Sequence, residues 1–599
     1  MIRSLALIAA TLFALPAAAQ ELRQRLPQDE VIYFVLPDRF ENGDSANDKG
    51  GIKGDRLRHG FDPAHKGFYH GGDLQGLKDR LPYIQALGAT AIWLTPVFKN
   101  KAVQGAPGQE SSGYHGYWIT DFTTVDPHIG SEADFKALVD AAHARGMKVY
   151  MDIIANHTAD VISYAECPDR ACDYRPIADY PYSTLGDVNG RAINPGFAGD
   201  QMMTADNFAR LANPDYAYTV RVAPEERSIK VPAWLNDPTL YHNRGNSTWE
   251  GESVTMGDFS GLDDLMTENP KVVSGMIDIF TGWIDRFGID GFRIDTLKHV
   301  NPEFWAAFTP PILAAAKAKG IPNFHVFGEA AYGDMEPGLL ARHTIVDKVP
   351  AVLDFAFAVA VRETVAGDKG TERLARLFTG DALYAGGEAT AMQLPTFIGN
   401  HDQGRFATAV RQAFPNASEA EILGRVTLGH AMLLTLRGVP TVYYGDEQGF
   451  SGDGGDQDAR EDMFATRVPS YLDNRLVGTG RSPSAEHFET DHPLFREIAA
   501  LAKLRTQHAA LRRGRQVTRF GGPKPGLFAV SRFDPADGRE YLIAFNTSAA
   551  PITANVTVET SARRFERLHG TCPEAVTAPG SVAVTLAPFA TLVCAVAAE

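Results

Sequence analysis

Short apolar runs alternate with stretches of helical spacing along most of this chain. Residues 31–35 (Val-Ile-Tyr-Phe-Val) form a β-branched and aromatic run of strand length, and residues 91–94 and 148–154 repeat it. Between the first two, Leu77, Leu81, Ile84 and Leu87 predict a helix over 74–87 that stops at Gly88. Ser131 is placed to cap a second helix carrying Phe135, Leu138, Val139 and Ala142, ended by Gly146. Further on, Asn269-Pro270 opens an amphipathic helix with Val273, Met276, Ile277, Phe280, Trp283, Ile284 and Phe287 on one face, and Gly288 ends it. Residues 291–294 then alternate as a strand. More short apolar runs lie at 325–327, 352–355, 396–398 and 441–443, and the last helical pattern spans 494–511. Strand alternating with helix predicts parallel βαβ units, and eight strands is the number that closes a (β/α)8 TIM barrel.

The rhythm breaks for residues 158–258, a stretch rich in Pro, Asn, Asp and Tyr and too long for an ordinary loop. It predicts a subdomain inserted after strand three. Beyond residue 514 the pattern turns to short alternating strands at 527–531, 541–546, 552–558 and 583–586, the pattern of a C-terminal antiparallel β-sandwich. The expected division is a signal peptide at 1–19, barrel at 20–157, insertion at 158–258, barrel again at 259–514 and sandwich at 515–599. Arg3, the apolar run 5–15 and Ala17-Ala18-Ala19 make that leader an export signal, too short for a membrane span. The protein is expected in the periplasm or outside the cell, with no membrane partner and as a monomer. Cys167 with Cys172, and Cys572 with Cys594, are the simplest disulfide pairs for an oxidising compartment.

At 599 residues one hydrophobic core is unlikely to serve the whole chain. The net charge is −16 and no basic stripe occurs, which argues against a nucleic-acid partner.

In a TIM barrel the chemistry sits at the C-terminal ends of the strands. Three acids fall there: Asp295 after the fourth strand, Glu329 after the fifth and Asp402 after the seventh. Arg293 and Asp295 share one side of their strand, so the guanidinium is expected to keep that carboxylate ionised. Negative charge nearby should raise Glu329 and keep it protonated. One ionised and one protonated carboxyl is the division of labour of retaining glycoside hydrolysis.

Asp152-Ile-Ile-Ala-Asn156-His157, residues 291–299, Gly328-Glu329 and residues 397–402 resemble, in order, the four signatures of the α-amylase family, glycoside hydrolase family 13. Tyr114-His115-Gly116-Tyr117-Trp118 and the stretch from Gly438-Val439-Pro440 to Glu447 also fit. The resemblance implies Asp295 as nucleophile, Glu329 as acid/base and Asp402 as transition-state stabiliser. It implies Arg293 as the group orienting the nucleophile, His157 and His401 as partners of sugar hydroxyls, Tyr114 as a stacking platform, and Lys298 and His299 on the leaving-group side. It also implies Ca2+. One site would use Asn156, Asp264 and the main-chain carbonyl of His299; the other would use Asn42, Asp44, Asn47, Asp48, Gly71 and Asp73. The implied activity is cleavage of internal α-1,4 bonds in starch and maltooligosaccharides, with cyclodextrins as further candidate substrates. Residues 37–40 and 71–76 are similar to the cyclomaltodextrinase and neopullulanase branch, though the first strand begins too early for that branch's N-terminal sandwich. A cyclomaltodextrinase-like or glucan-transferring activity is the alternative, and a catalytically inactive binding homologue a further one.

Overall fold

The computed structural model describes residues 17–168 and 171–597, so most of the predicted leader lies outside the described residues. Eight short parallel strands form one sheet: β1 Ile32–Val35, β2 Ala91–Leu94, β3 Lys148–Ile153, β4 Gly291–Ile294, β5 His325–Gly328, β6 Ala351–Val352, β7 Pro395–Thr396 and β8 Val439–Tyr443. Their order is β6-β5-β4-β3-β2-β1-β8-β7. The two ends meet through one main-chain hydrogen bond, from Asp354 N to Pro395 O at 2.9 Å, which completes the barrel. Every residue of β1 to β5 and β8 is buried, as strands covered on both faces must be.

The predicted caps form. Ser131 Oγ accepts from Asp134 N at the start of α1 Glu132–Ala144, and Asn269 accepts from Lys271 N at the start of α2 Pro270–Phe287. Gly288 leaves α2 in a left-handed conformation at φ 66°. The buried face of α2 is rotated from expectation: Val272 and Ile279 are buried, whereas Val273 and Ile277 are only partly so.

Three sequence expectations are corrected. The helix over 74–87 is two, Leu74–Asp79 and Leu81–Ala86, because Pro82 lacks the N–H that would continue the first. The strand at 352–355 ends at Val352. Asp354 turns away and its carboxylate accepts from Phe357 N at 2.9 Å, capping α3 Phe355–Val365. The helix over 494–511 breaks at His508 into α4 Pro493–Gln507 and a short turn Ala509–Arg513.

Between β3 and β4 the chain makes a short hairpin, Ile162–Tyr164 with Val220–Val222, and otherwise irregular turns. Its ends are pinned to the barrel. Asp263 accepts from Ile162 N at 3.0 Å and pairs with buried Lys230, and Leu265 N donates to Asn156 O at 2.8 Å. The C-terminal part is a five-stranded antiparallel sheet and a two-stranded one, which share a core of Leu527, Leu542, Val556, Val582, Val584 and Leu592. Both expected disulfides form, each with a Cα–Cα distance of 5.8 Å. Among the described residues no helix is long and apolar enough to cross a membrane.

Candidate active site

A cleft of about 560 Å³ opens at the C-terminal ends of the barrel strands, where Asp295 and Glu329 directly follow β4 and β5. Asp295, Glu329, Asp402, His157, Lys298 and His299 all line it. Arg293 is fully buried and joins the carboxylates from below. Its Nη1 donates to Asp152 Oδ1 at 2.9 Å and to Asp295 Oδ1 at 2.7 Å, and its Nη2 lies 2.8 Å from Glu329 Oε2. Sequence reasoning paired Arg293 with Asp295 alone; the bonds to Asp152 and Glu329 come from neighbouring strands in register with β4.

Burial pushes the Glu329 carboxyl up to about 7, with the charges of Asp295 and Asp402 adding to the rise and Arg293 opposing it. The direction is the expected one, but burial is the leading cause, ahead of charge. Thr296, next to Asp295, takes a left-handed conformation at φ 51°, which is strained for a β-branched residue. That turn aims Thr296 N at Glu329 Oε2, 3.4 Å away.

Asp402 stands across the cleft, its side chain nearly half exposed. It lies beyond β7 on a turn in which Asn400 Oδ1 accepts from Asp402 N at 3.0 Å and from Gln403 N at 2.7 Å. Arg460 fixes it. Nη2 donates to Asp402 Oδ1 at 3.0 Å, Nε to His401 O at 3.1 Å and Nη1 to the Tyr114 hydroxyl at 3.0 Å. Arg460 belongs to a loop of no regular spacing, and the sequence offered no signal for it.

The histidines are neutral. Burial lowers His157 and His401, and holds His299 down at about 4. His157 Nε2 is buried beside the cleft without a hydrogen bond in the protein. His401 does not line the cleft; its Nε2 is 2.9 Å from the Tyr117 hydroxyl, which also donates to Asp152 Oδ2 at 3.1 Å. His299 donates from Nδ1 to Val254 O at 2.9 Å. Lys298 Nζ is held by Ala331 O at 2.7 Å.

Tyr114 is a correction. It is 3% exposed, outside the cleft lining, and its ring is covered by the Arg39 guanidinium at 3.9 Å. A ring with a cation on its face inside the protein is no platform for a sugar. Tyr117, three residues on, lines the cleft instead, with His115, Trp118, Phe259 and half-exposed Trp249.

The two predicted calcium places differ. Around Gly71, Asn42 Nδ2 donates to Asp48 Oδ1 at 2.8 Å, and Asp73 accepts from Gly43 N, Asp44 N and Asn47 Nδ2 at 3.1, 2.8 and 3.1 Å. A Cβ on Gly71 would fall 2.7 Å from both Asn42 and Asp48, so glycine keeps this cradle open. Asn47 Oδ1 is buried without a hydrogen bond, and burial together with the charges of Asp38, Asp73 and Asp44 raises Asp48. Crowded hard oxygens of this kind fit Ca2+. Among the described residues no three Asp, Glu, His or Cys side chains are arranged to hold a metal, so amide and main-chain oxygens would complete the set. At the other place Asn156 lies beside Asp264, but Asp264 Oδ2 is 2.6 Å from His242 Nδ1, and His242 Nε2 is 3.0 Å from Glu268. Despite burial these two carboxylates raise His242 to about 10, so a cation of the chain's own already serves Asp264. That place fits calcium less well.

An eight-stranded barrel with three acids and two buried arginines at one mouth is the architecture of a carbohydrate-cleaving enzyme. The α-amylase catalytic-domain model matches residues 34–514, and the chain belongs to that family. The α-amylase of Streptomyces lividans is 44% identical over 520 residues, covering 87% of this chain and 55% of its own length. This chain therefore spans about half of that relative. An Anoxybacillus α-amylase structure is 27% identical with a TM-score of 0.67, covering 96% of this chain and 99% of its own. CldA, a cyclomaltodextrin glucanotransferase with a three-domain ABC distribution, is 26% identical with a TM-score of 0.70, covering 95% and 99%.

Proposed function

We propose that this protein is a retaining glycoside hydrolase that cuts internal α-1,4-glucosidic bonds of starch and maltooligosaccharides. The observation that carries the reading is the single guanidinium of Arg293 bonded to both Asp295 and Glu329 at the floor of the cleft. Sharing one guanidinium keeps the two carboxyls within a few ångströms, which suits the ~5 Å spacing of covalent displacement. Asp295 attacks the anomeric carbon while Glu329 gives its proton to the leaving oxygen. Glu329, now ionised, takes a proton from water, which attacks the same carbon and releases the sugar from Asp295. Asp402, steered by Arg460, takes sugar hydroxyls and favours the flattened ring of the transition state. His157 and His401 act as neutral partners to the same sugar, and Lys298 and His299 lie toward the leaving group. Tyr117 replaces Tyr114 as the ring beneath the sugar.

Ca2+ at Asn42, Asp44, Asn47, Asp48, Gly71 and Asp73 would supply structural stability to the loop after β1. At Asn156, Asp264 and the His299 carbonyl a second ion would have to compete with His242 for Asp264. We place the divisions of the chain at 157/158, 258/259 and 514/515, with export by the leader and action as a monomer. Release of reducing ends from soluble starch tests the reading, with Asp295→Asn and Glu329→Gln as controls; full activity in either variant would overturn the assignment. The likeness to CldA favours one second reading, transfer of the glycosyl unit to a sugar rather than water. Products from maltoheptaose and cyclodextrin decide between them, since mainly cyclic or lengthened products mean transfer.

A further inference from the structure

A second groove, of about 520 Å³ against about 560 Å³ for the cleft, lies on the outside of the barrel and shares no lining residue with the cleft. One wall is α2. The other is the short turn Ala233–Asn236, which presents Trp234. The turn is anchored to the barrel, since Val231 N donates to Thr120 O at 2.8 Å and Phe122 N to Val231 O at 2.9 Å. The helix is shaped to receive the ring. A Cβ on Gly275 would lie 2.4 Å from Trp234 Cζ2, so glycine lets the indole rest on the helix backbone. Two turns further along, Gly282 faces open space, with no atom within 4 Å of a Cβ placed there. Exposed Lys271, Asp278 and Arg286 stand along the rim.

We infer that this groove is a second binding site for α-glucan, formed by Trp234 and the Gly275–Gly282 face of α2 and separate from the catalytic cleft. A partly exposed indole offers a flat apolar face to the C–H side of a glucose ring. Side chains of both charge signs at the rim suit a neutral, polyhydroxylated ligand and would not hold an ion of either sign. The inference rests on the proposed α-glucan activity, because the polymer that enters the cleft is the ligand available to a second groove. A chain held there raises the effective concentration of its other segments at the cleft.

Adsorption of the full-length protein to insoluble starch granules, and its affinity for soluble amylose, test the site. Trp234→Ala removes the ring. Gly282→Leu fills the groove from a helical position with room for the side chain and better helix propensity, so it guards against loss of folding in the first variant. Both variants are expected to weaken adsorption at least ~10-fold while leaving kcat/KM on maltopentaose unchanged. Adsorption equal to that of the unmodified protein in Gly282→Leu, or no adsorption by the unmodified protein, overturns the second site. Adsorption that depends on Trp234 in a protein that frees no reducing ends would overturn the hydrolase reading and leave the groove standing.

Discussion

Arg293 and Glu329 are in direct contact, Nη2 to Oε2 at 2.8 Å, although a guanidinium should hold a carboxyl down and this one is raised to about 7. Burial outweighs the pairing. A general acid must carry its proton to act, so activity is expected to be full below pH 7 and to fall as pH rises through the Glu329 value. The pH profile of kcat/KM on a soluble maltooligosaccharide measures it. Glu329→Gln should lower kcat by ~10²–10⁴-fold and abolish the alkaline limb. A limb that survives in that variant would mean another group is the acid.

Replacing Arg293 tests the floor of the cleft. Lysine keeps the charge but not the fork that meets Asp152, Asp295 and Glu329 from two nitrogens, so Arg293→Lys should lower kcat far more than it alters KM. Arg293→Met leaves three carboxyls without their cation, a loss of ~3–5 kcal/mol of stability by urea unfolding. Wild-type stability in the methionine variant would show the carboxyls neutral in the resting protein.

Arg460→Met frees Asp402 and should reduce kcat/KM by ~10²-fold, the usual effect of misplacing a catalytic group by about an ångström. Arg460→Lys should recover little, since one ammonium cannot reach Asp402, His401 O and Tyr114 together. A methionine variant with unchanged kinetics would reduce Arg460 to a packing residue.

Chelation is expected to lower Tm, because an ion bound only by the folded chain stabilises it by mass action. Asn42→Ala should lower Tm in calcium and leave a protein whose Tm no longer responds to chelator. An unmoved Tm in the parent protein would remove calcium from the loop after β1.

The strands and their acids were legible because a buried parallel strand is a short run of β-branched and aromatic residues, and Asp295 and Glu329 stand one residue past such runs. Asp354 hid the end of β6: a capping aspartate followed by Phe355 and Phe357 reads equally as a continuing strand. Loops carry no period. Nothing in the spacing of 114–118 says which tyrosine faces out, and only the placement of Arg39 over Tyr114 settles it. Arg460 and Trp249 are likewise products of tertiary placement.

The two shortest strands of the barrel, β6 and β7, have a ladder on one side only and are stitched to each other by Asp354 N and Pro395 O alone. β4, under Asp295, is laced to neighbours on both flanks. On warming, the wall should therefore unfasten along that seam first. The turn bearing Asp402 would lose its footing while Arg293 still grips its partners, and inactivation would run ahead of melting.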